Sequence, residues 1–76
     1  MRTIIAVTKS NTLPGRYDTT MQRPGGRPQV EFDHGPEAAA GRALQFAATC
    51  RGGFHIAAPP EVAAHIPADM RSRAEA

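Results

Sequence analysis

Arg16-Tyr17-Asp18-Thr19-Thr20-Met21-Gln22-Arg23-Pro24-Gly25-Gly26-Arg27-Pro28-Gln29-Val30-Glu31-Phe32-Asp33 is the stretch that decides the fold. Tyr17, Thr19 and Met21 alternate with Asp18, Thr20 and Gln22, the period of two that marks a half-buried strand. Val30 and Phe32 alternate with Glu31 and Asp33 in the same way. Between the two runs, Pro24-Gly25-Gly26-Arg27-Pro28 breaks the chain, so the whole reads as a β-hairpin. The apolarity of Val30 and Phe32 suggests a register with Met21 opposite Val30 and Thr19 opposite Phe32 on the core face. Asp18 would then face Asp33, and Thr20 would face Glu31, on the other side. A slip of one residue would turn every side chain over.

Beyond the hairpin, His34-Gly35-Pro36-Glu37 opens a helix. Gly35 suits the N-cap, Pro36 the first helical position, and Glu37 the positive end of the helix dipole. Ala38 to Arg51 is strongly helix-forming, and Gly52-Gly53 supplies the stop. At helical spacing Ala39, Ala40, Ala43, Leu44, Phe46, Ala47 and Cys50 share one arc, with Glu37, Arg42, Gln45 and Thr49 opposite. Before the hairpin, Thr3 to Thr8 reads as a strand. After the helix, Phe54 to Ala57 reads as another, halted by Pro59-Pro60. Glu61 to His65 and Pro67 to Met70 each suit one helical turn. The expected fold is α+β, in the order β-β-β-α-β: an antiparallel sheet with one long helix on one face. Residues 1–71 would form a single domain and 72–76 a frayed tail. An apolar strand edge at Thr3 to Thr8 would offer a homodimer contact.

Length and composition narrow the function. A chain of 76 residues buries only about 60% of its unfolded surface. A drug-sized pocket of about 300–1,000 Å³ would consume much of such a core, which argues against a self-contained enzyme. The single cysteine, Cys50, excludes an internal disulfide framework and suits a reducing cytoplasm. Ile4-Ile5-Ala6-Val7 falls short of the roughly 7–15 apolar residues of a signal-peptide core, and no run approaches the roughly 18 of a membrane span. Net charge is +2. Arg2, Lys9, Arg16, Arg23 and Arg27 against Asp18 leave +4 on residues 1–30. Glu31, Asp33 and Glu37 put −3 on residues 31–37, and the rest carries +1. That is a mixed surface.

Chemistry-bearing residues are sparse. Cys50, His55 and His65 have loose spacing and would need His34 as a fourth ligand, so no metal or other cofactor is expected. Cys50 reads as a small core residue. Pro24-Gly25-Gly26-Arg27-Pro28 lacks the Gly-Lys-Ser/Thr ending of a phosphate loop. With Phe32, Phe46 and Phe54 assigned to the core, few aromatics remain for stacking on bases, which argues against direct nucleic-acid binding. The hairpin is the unusual surface. Asp18, Glu31 and Asp33 are acidic in a basic half, and Arg16, Arg23 and Arg27 flank them. These six residues are the candidate partner-binding set. Asp18 opposite Asp33 would be tolerated if a basic partner neutralised the pair.

Three segments carry a resemblance. They are Leu13-Pro14-Gly15-Arg16-Tyr17-Asp18, the helical Gly35-Pro36-Glu37-Ala38-Ala39-Ala40-Gly41-Arg42-Ala43-Leu44-Gln45-Phe46-Ala47, and Ala64-His65-Ile66-Pro67-Ala68-Asp69-Met70-Arg71. In this order the chain resembles the small phage-encoded anti-CRISPR inhibitors of type I systems, subtypes I-F and I-C. The resemblance implies a non-enzymatic, stoichiometric binder of the Cascade surveillance complex in the host bacterial cytoplasm. Such a protein blocks target-DNA binding or nuclease-helicase recruitment, and no catalytic residues carry over. An acidic hairpin face would favour the first step, by occupying a channel lined with Lys and Arg. The order β-β-β-α-β, with Tyr17 in a short strand and an Ala-rich helix, is also similar to HicB-like antitoxin domains, which implies a toxin-neutralising module. A plainer alternative is another phage interaction protein of this fold.

Overall fold

The hairpin is pinned by its turn. In Arg23-Pro24-Gly25-Gly26 the Gly26 N–H donates to the Arg23 carbonyl at 3.0 Å, and Gly25 has φ 72°. Proline second and a positive φ third is the pattern of a type II turn. The Gln22 amide closes the loop from the side, donating to the carbonyls of Gly26 at 2.6 Å and Arg23 at 2.9 Å. The computed structural model describes residues 2–50 and 52–70. The tail expected over 72–76 and Arg51, the expected helix end, lie outside the described residues.

Strands β1 (Thr3–Lys9), β2 (Arg16–Gln22) and β3 (Gln29–His34) are followed by helix α1 (Pro36–Ala48), strand β4 (Phe54–Ala57) and a short helix α2 (Pro60–Ala63). A further helical turn covers 68–70. The architecture is the small α+β fold expected: four strands in the order β3-β2-β1-β4, with the long helix on one face. The sheet is mixed and not antiparallel throughout as expected, because β4 pairs with β1 in parallel. A helical crossover returns the chain to the end where β3 began, so the next strand runs the same way as β3 and β1. β1 is therefore interior, flanked by β2 and β4, and is not the free edge expected to offer a homodimer contact.

Gly35 joins the layers. It has φ 89° and ψ 150°, a region essentially closed to other residues, and its N–H donates to the Gly15 carbonyl at 2.7 Å. That bond ties the helix entrance to the β1–β2 turn. At the other end the helix stops at Ala48, before the Gly52-Gly53 expected to end it. The Phe46 carbonyl accepts from the Thr49 hydroxyl at 2.8 Å and from the Cys50 thiol at 3.3 Å. The Cys50 N–H donates to Ala47 at 3.0 Å.

The covered face is Ile5 and Val7 of β1, Tyr17, Thr19 and Met21 of β2, and Phe54 and Ile56 of β4, all buried. Ala39, Ala40, Ala43 and Ala47 of the helix press on it, and Val62 and Ile66 close one end. Leu44, Phe46 and Cys50 pack at the margin.

β3 differs from expectation. It pairs one residue away from the register suggested by its apolar pattern: Tyr17 faces Asp33, Thr19 faces Glu31 and Met21 faces Gln29 on the covered side. Asp18 faces Phe32 and Thr20 faces Val30 on the open side. Val30 and Phe32 are thus 46% and 57% exposed instead of core. Turn type and loop length set hairpin register, and here they outweigh polarity. The covered side of β3 is closed by an ion pair. Arg42 donates through Nε to Asp33 Oδ2 at 3.2 Å and through Nη2 to Asp33 Oδ1 at 3.3 Å. A helix face of alanines has no large side chains to cover this strand, whereas Arg42 on its flank reaches it.

Candidate functional site

The open face of the sheet is built by alternation. On β3 it carries Val30 and Phe32, on β2 Arg16, Asp18, Thr20 and Gln22, on β1 Ile4, Ala6 and Thr8, and on β4 His55 and Ala57. Ile4, Val30 and Phe32 are large apolar residues that the fold leaves exposed. Phe32 is held in place from one side. The Arg16 guanidinium carbon lies 3.9 Å from the Phe32 ring centroid, and Arg16 Nε donates to Asp18 Oδ1 at 3.1 Å. An arginine stacked on the ring and tied to a carboxylate gives a fixed, amphipathic tile.

The six residues expected to form one binding surface are dispersed. Arg16 and Asp18 share the open face and pair with each other. Glu31 and Asp33 point to the covered side, so the acidic pair Asp18–Asp33 does not exist. Asp33 is committed to Arg42, and its carboxylate holds the Arg42 pKa above its ordinary value, chiefly through the hydrogen bond. Glu31 is exposed and its side chain makes no hydrogen bond or ion pair with the described residues, although its charge also helps hold the Arg42 pKa up. Arg23 reaches from the hairpin to the Thr49 hydroxyl at 3.0 Å, docking the tip on the helix end. Arg27 is exposed beyond the turn.

A second polar cluster lies at the sheet end. Tyr17 donates to Glu61 Oε2 at 3.0 Å, and Lys9 Nζ lies 3.4 Å from the same oxygen. This anchors α2 to β1 and β2. Burial, then the hydrogen bond and charge of Glu61, raise the Tyr17 pKa above 10.0. Hydrogen bonds, from its own backbone and then from Tyr17, lower that of Glu61. The raised tyrosine favours folding below pH 10, and that contribution fades as pH rises through its folded value. The lowered carboxylate favours folding at neutral pH, and that contribution is lost as pH falls below 4.5 through its folded value. With one Tyr and no Trp, the phenolate absorbance reports this site alone. We expect a titration midpoint above 10 that moves down in Glu61→Gln but stays raised, since burial is the larger cause. An unmoved midpoint in that variant would show that Glu61 does not hold the phenol in solution.

The histidines and the cysteine do not converge. Among the described residues no group of three or more His, Cys, Asp or Glu is placed to hold a metal ion. Cys50 packs at the margin of the core. His34 and His65 line an open groove with Gly35, Pro36, Glu37 and Ala38. Among the described residues no helix is long and apolar enough to cross a membrane. No protein-family model matches the chain, and no curated protein sequence matches it.

Proposed function

We propose that this chain is a non-enzymatic anti-CRISPR inhibitor. It binds the type I Cascade surveillance complex, of subtype I-F or I-C, through the open face of its sheet. The observation that carries the binding mode is the exposure of Val30 and Phe32, with Arg16 stacked on Phe32, on a face with no covering element among the described residues. The Cascade target comes from the three-segment resemblance. A standard interface takes about 800 Å² from each partner, about a sixth of the chain's 4844 Å². A sheet in a molecule measuring 33 × 28 × 16 Å supplies that without a pocket. The acidic residues that favoured occlusion of target DNA are divided between two faces. Charge therefore no longer favours that step over nuclease-helicase recruitment.

The test is titration of assembled Cascade with this protein, reading target-DNA binding and nuclease-helicase recruitment separately. Inhibition should saturate at a fixed molar ratio. Loss of activity that grows with time at substoichiometric protein would mean turnover, and no capture of Cascade would remove the reading. The observed element order β-β-β-α-β, with Tyr17 in β2, supports a second reading as a HicB-like antitoxin module. Capture of a small toxin in place of Cascade would select it.

A further inference from the structure

The two edges of the sheet are unlike. β4 is four residues long and runs into Pro59 and Pro60, which blunts it. β3 is six residues long, contains no proline, and has no strand on its outer side among the described residues. Its side chains alternate cleanly. Val30 and Phe32 face the open side, and Gln29, Glu31 and Asp33 face the helix side.

The edge is poorly suited to a second copy of itself. An antiparallel pair that keeps both open faces on one side must match residues of like parity. Of the registers that join most of the strand, one sets Glu31 against Glu31. The next sets Glu31 against Asp33 twice, around a Phe32–Phe32 contact. Like charges directly opposite are destabilising, most for the Glu31–Glu31 register and less where Asp33 is offset by Arg42. Asp33 and Glu31 share one cation: Arg42 is hydrogen-bonded to Asp33 and feels Glu31 only through its charge. The covered side of β3 therefore keeps one unmatched negative charge, and the Glu31 side chain, without a hydrogen bond or ion pair to the described residues, is where a partner's cation would fit.

We infer that the outer edge of β3 takes an extended partner segment by strand addition, with a Lys or Arg opposite Glu31 and apolar side chains opposite Val30 and Phe32. This deepens, and rests on, the reading of the chain as a protein-binding inhibitor. Main-chain hydrogen bonds would supply affinity, and the apolar–basic–apolar pattern would supply specificity. The partner's apolar residues would also extend the open face beyond Phe32, making edge and face one continuous surface.

The probe is a capped peptide of alternating valine and arginine, added to the full chain and followed by amide-resolved NMR and hydrogen exchange. The expected result is shifts and slowed exchange within Gln29–His34. Binding should weaken about tenfold when glutamate replaces arginine. Glu31→Lys should reverse that preference. The same arginine peptide, N-methylated on alternate backbone nitrogens, should not bind. Four outcomes overturn the inference: equal response to both charge types, full binding by the N-methylated peptide, changes confined to β4, or no response at millimolar peptide. Self-association that protects β3 without peptide overturns it too, by assigning the edge to a second copy. No Cascade enters this experiment, so a failed Cascade reading shows separately, as absent capture by the wild-type chain.

Discussion

Ala43→Asp is expected to leave the chain without a cooperative melt. Ala43 is fully buried in the helix face that presses on the sheet. Its methyl group is small, which is why the helix can lie close. An aspartate there places a charge with no partner between the layers, which costs about 3–5 kcal/mol. It also adds volume that the packed alanines cannot absorb, at about 1–3 kcal/mol more. A domain of this size is stable by only about 4–11 kcal/mol at typical values per residue. The loss therefore consumes most or all of the stability. Circular dichroism should show a broad, low-amplitude transition. Ala38→Asp, exposed on the same helix, is the control and should melt within about 0.5 kcal/mol of wild type. A sharp wild-type melt for Ala43→Asp would mean that the helix does not cover the sheet with this face.

Why the helix was legible and the hairpin register was not has a physical answer. The helix announced itself through several local signals that agree: Gly35 and Pro36 at its start, an alanine arc at helical spacing, and glycines beyond its end. The strands were equally visible from their period of two. What a strand's period does not reveal is which of its two faces is covered. For β2 the polar side was also the solvent side, and Tyr17, Thr19 and Met21 are core as expected. For β3 the same rule failed, because Val30 and Phe32 are the exposed set. The fact that decides the face is the pairing Tyr17–Asp33, fixed by the length of the Gln22–Pro28 connection. One clue was present in the sequence: Arg42 beside the alanine arc needed an acidic partner, and Asp33 on the covered side provides it. The register also decides the site. The register suggested by polarity puts three carboxylates on one surface, whereas the observed one puts Asp18 on the open face and Glu31 and Asp33 on the other. The edge position of β3 and the parallel β4 depend on where the crossover lands, which no local pattern records.

On the proposed Cascade-binding reading, Phe32→Asp should cost about a hundredfold in affinity for Cascade while leaving the fold intact. The two effects separate because the ring is 57% exposed and contributes little to the core. An exposed substitution of this kind changes stability by about 0.5 kcal/mol, and the new carboxylate has Arg16 beside it. At an interface the accounting differs. The exposed aromatic ring with a guanidinium stacked on it is the kind of anchor that carries about 2–4 kcal/mol of binding. Aspartate removes the contact and adds a charge next to Asp18, its cross-strand neighbour. A partner that buries this spot must then desolvate two carboxylates sharing one arginine. Val30→Asp should act in the same direction with a smaller loss, since its side chain offers less area. The comparison that decides the surface is the triple variant Asp18→Lys, Glu31→Lys and Asp33→Lys, with folding verified first because Asp33 holds Arg42. If Phe32→Asp binds Cascade as tightly as wild type while the folded triple variant does not, recognition belongs to the carboxylates and the open apolar face is not the binding surface.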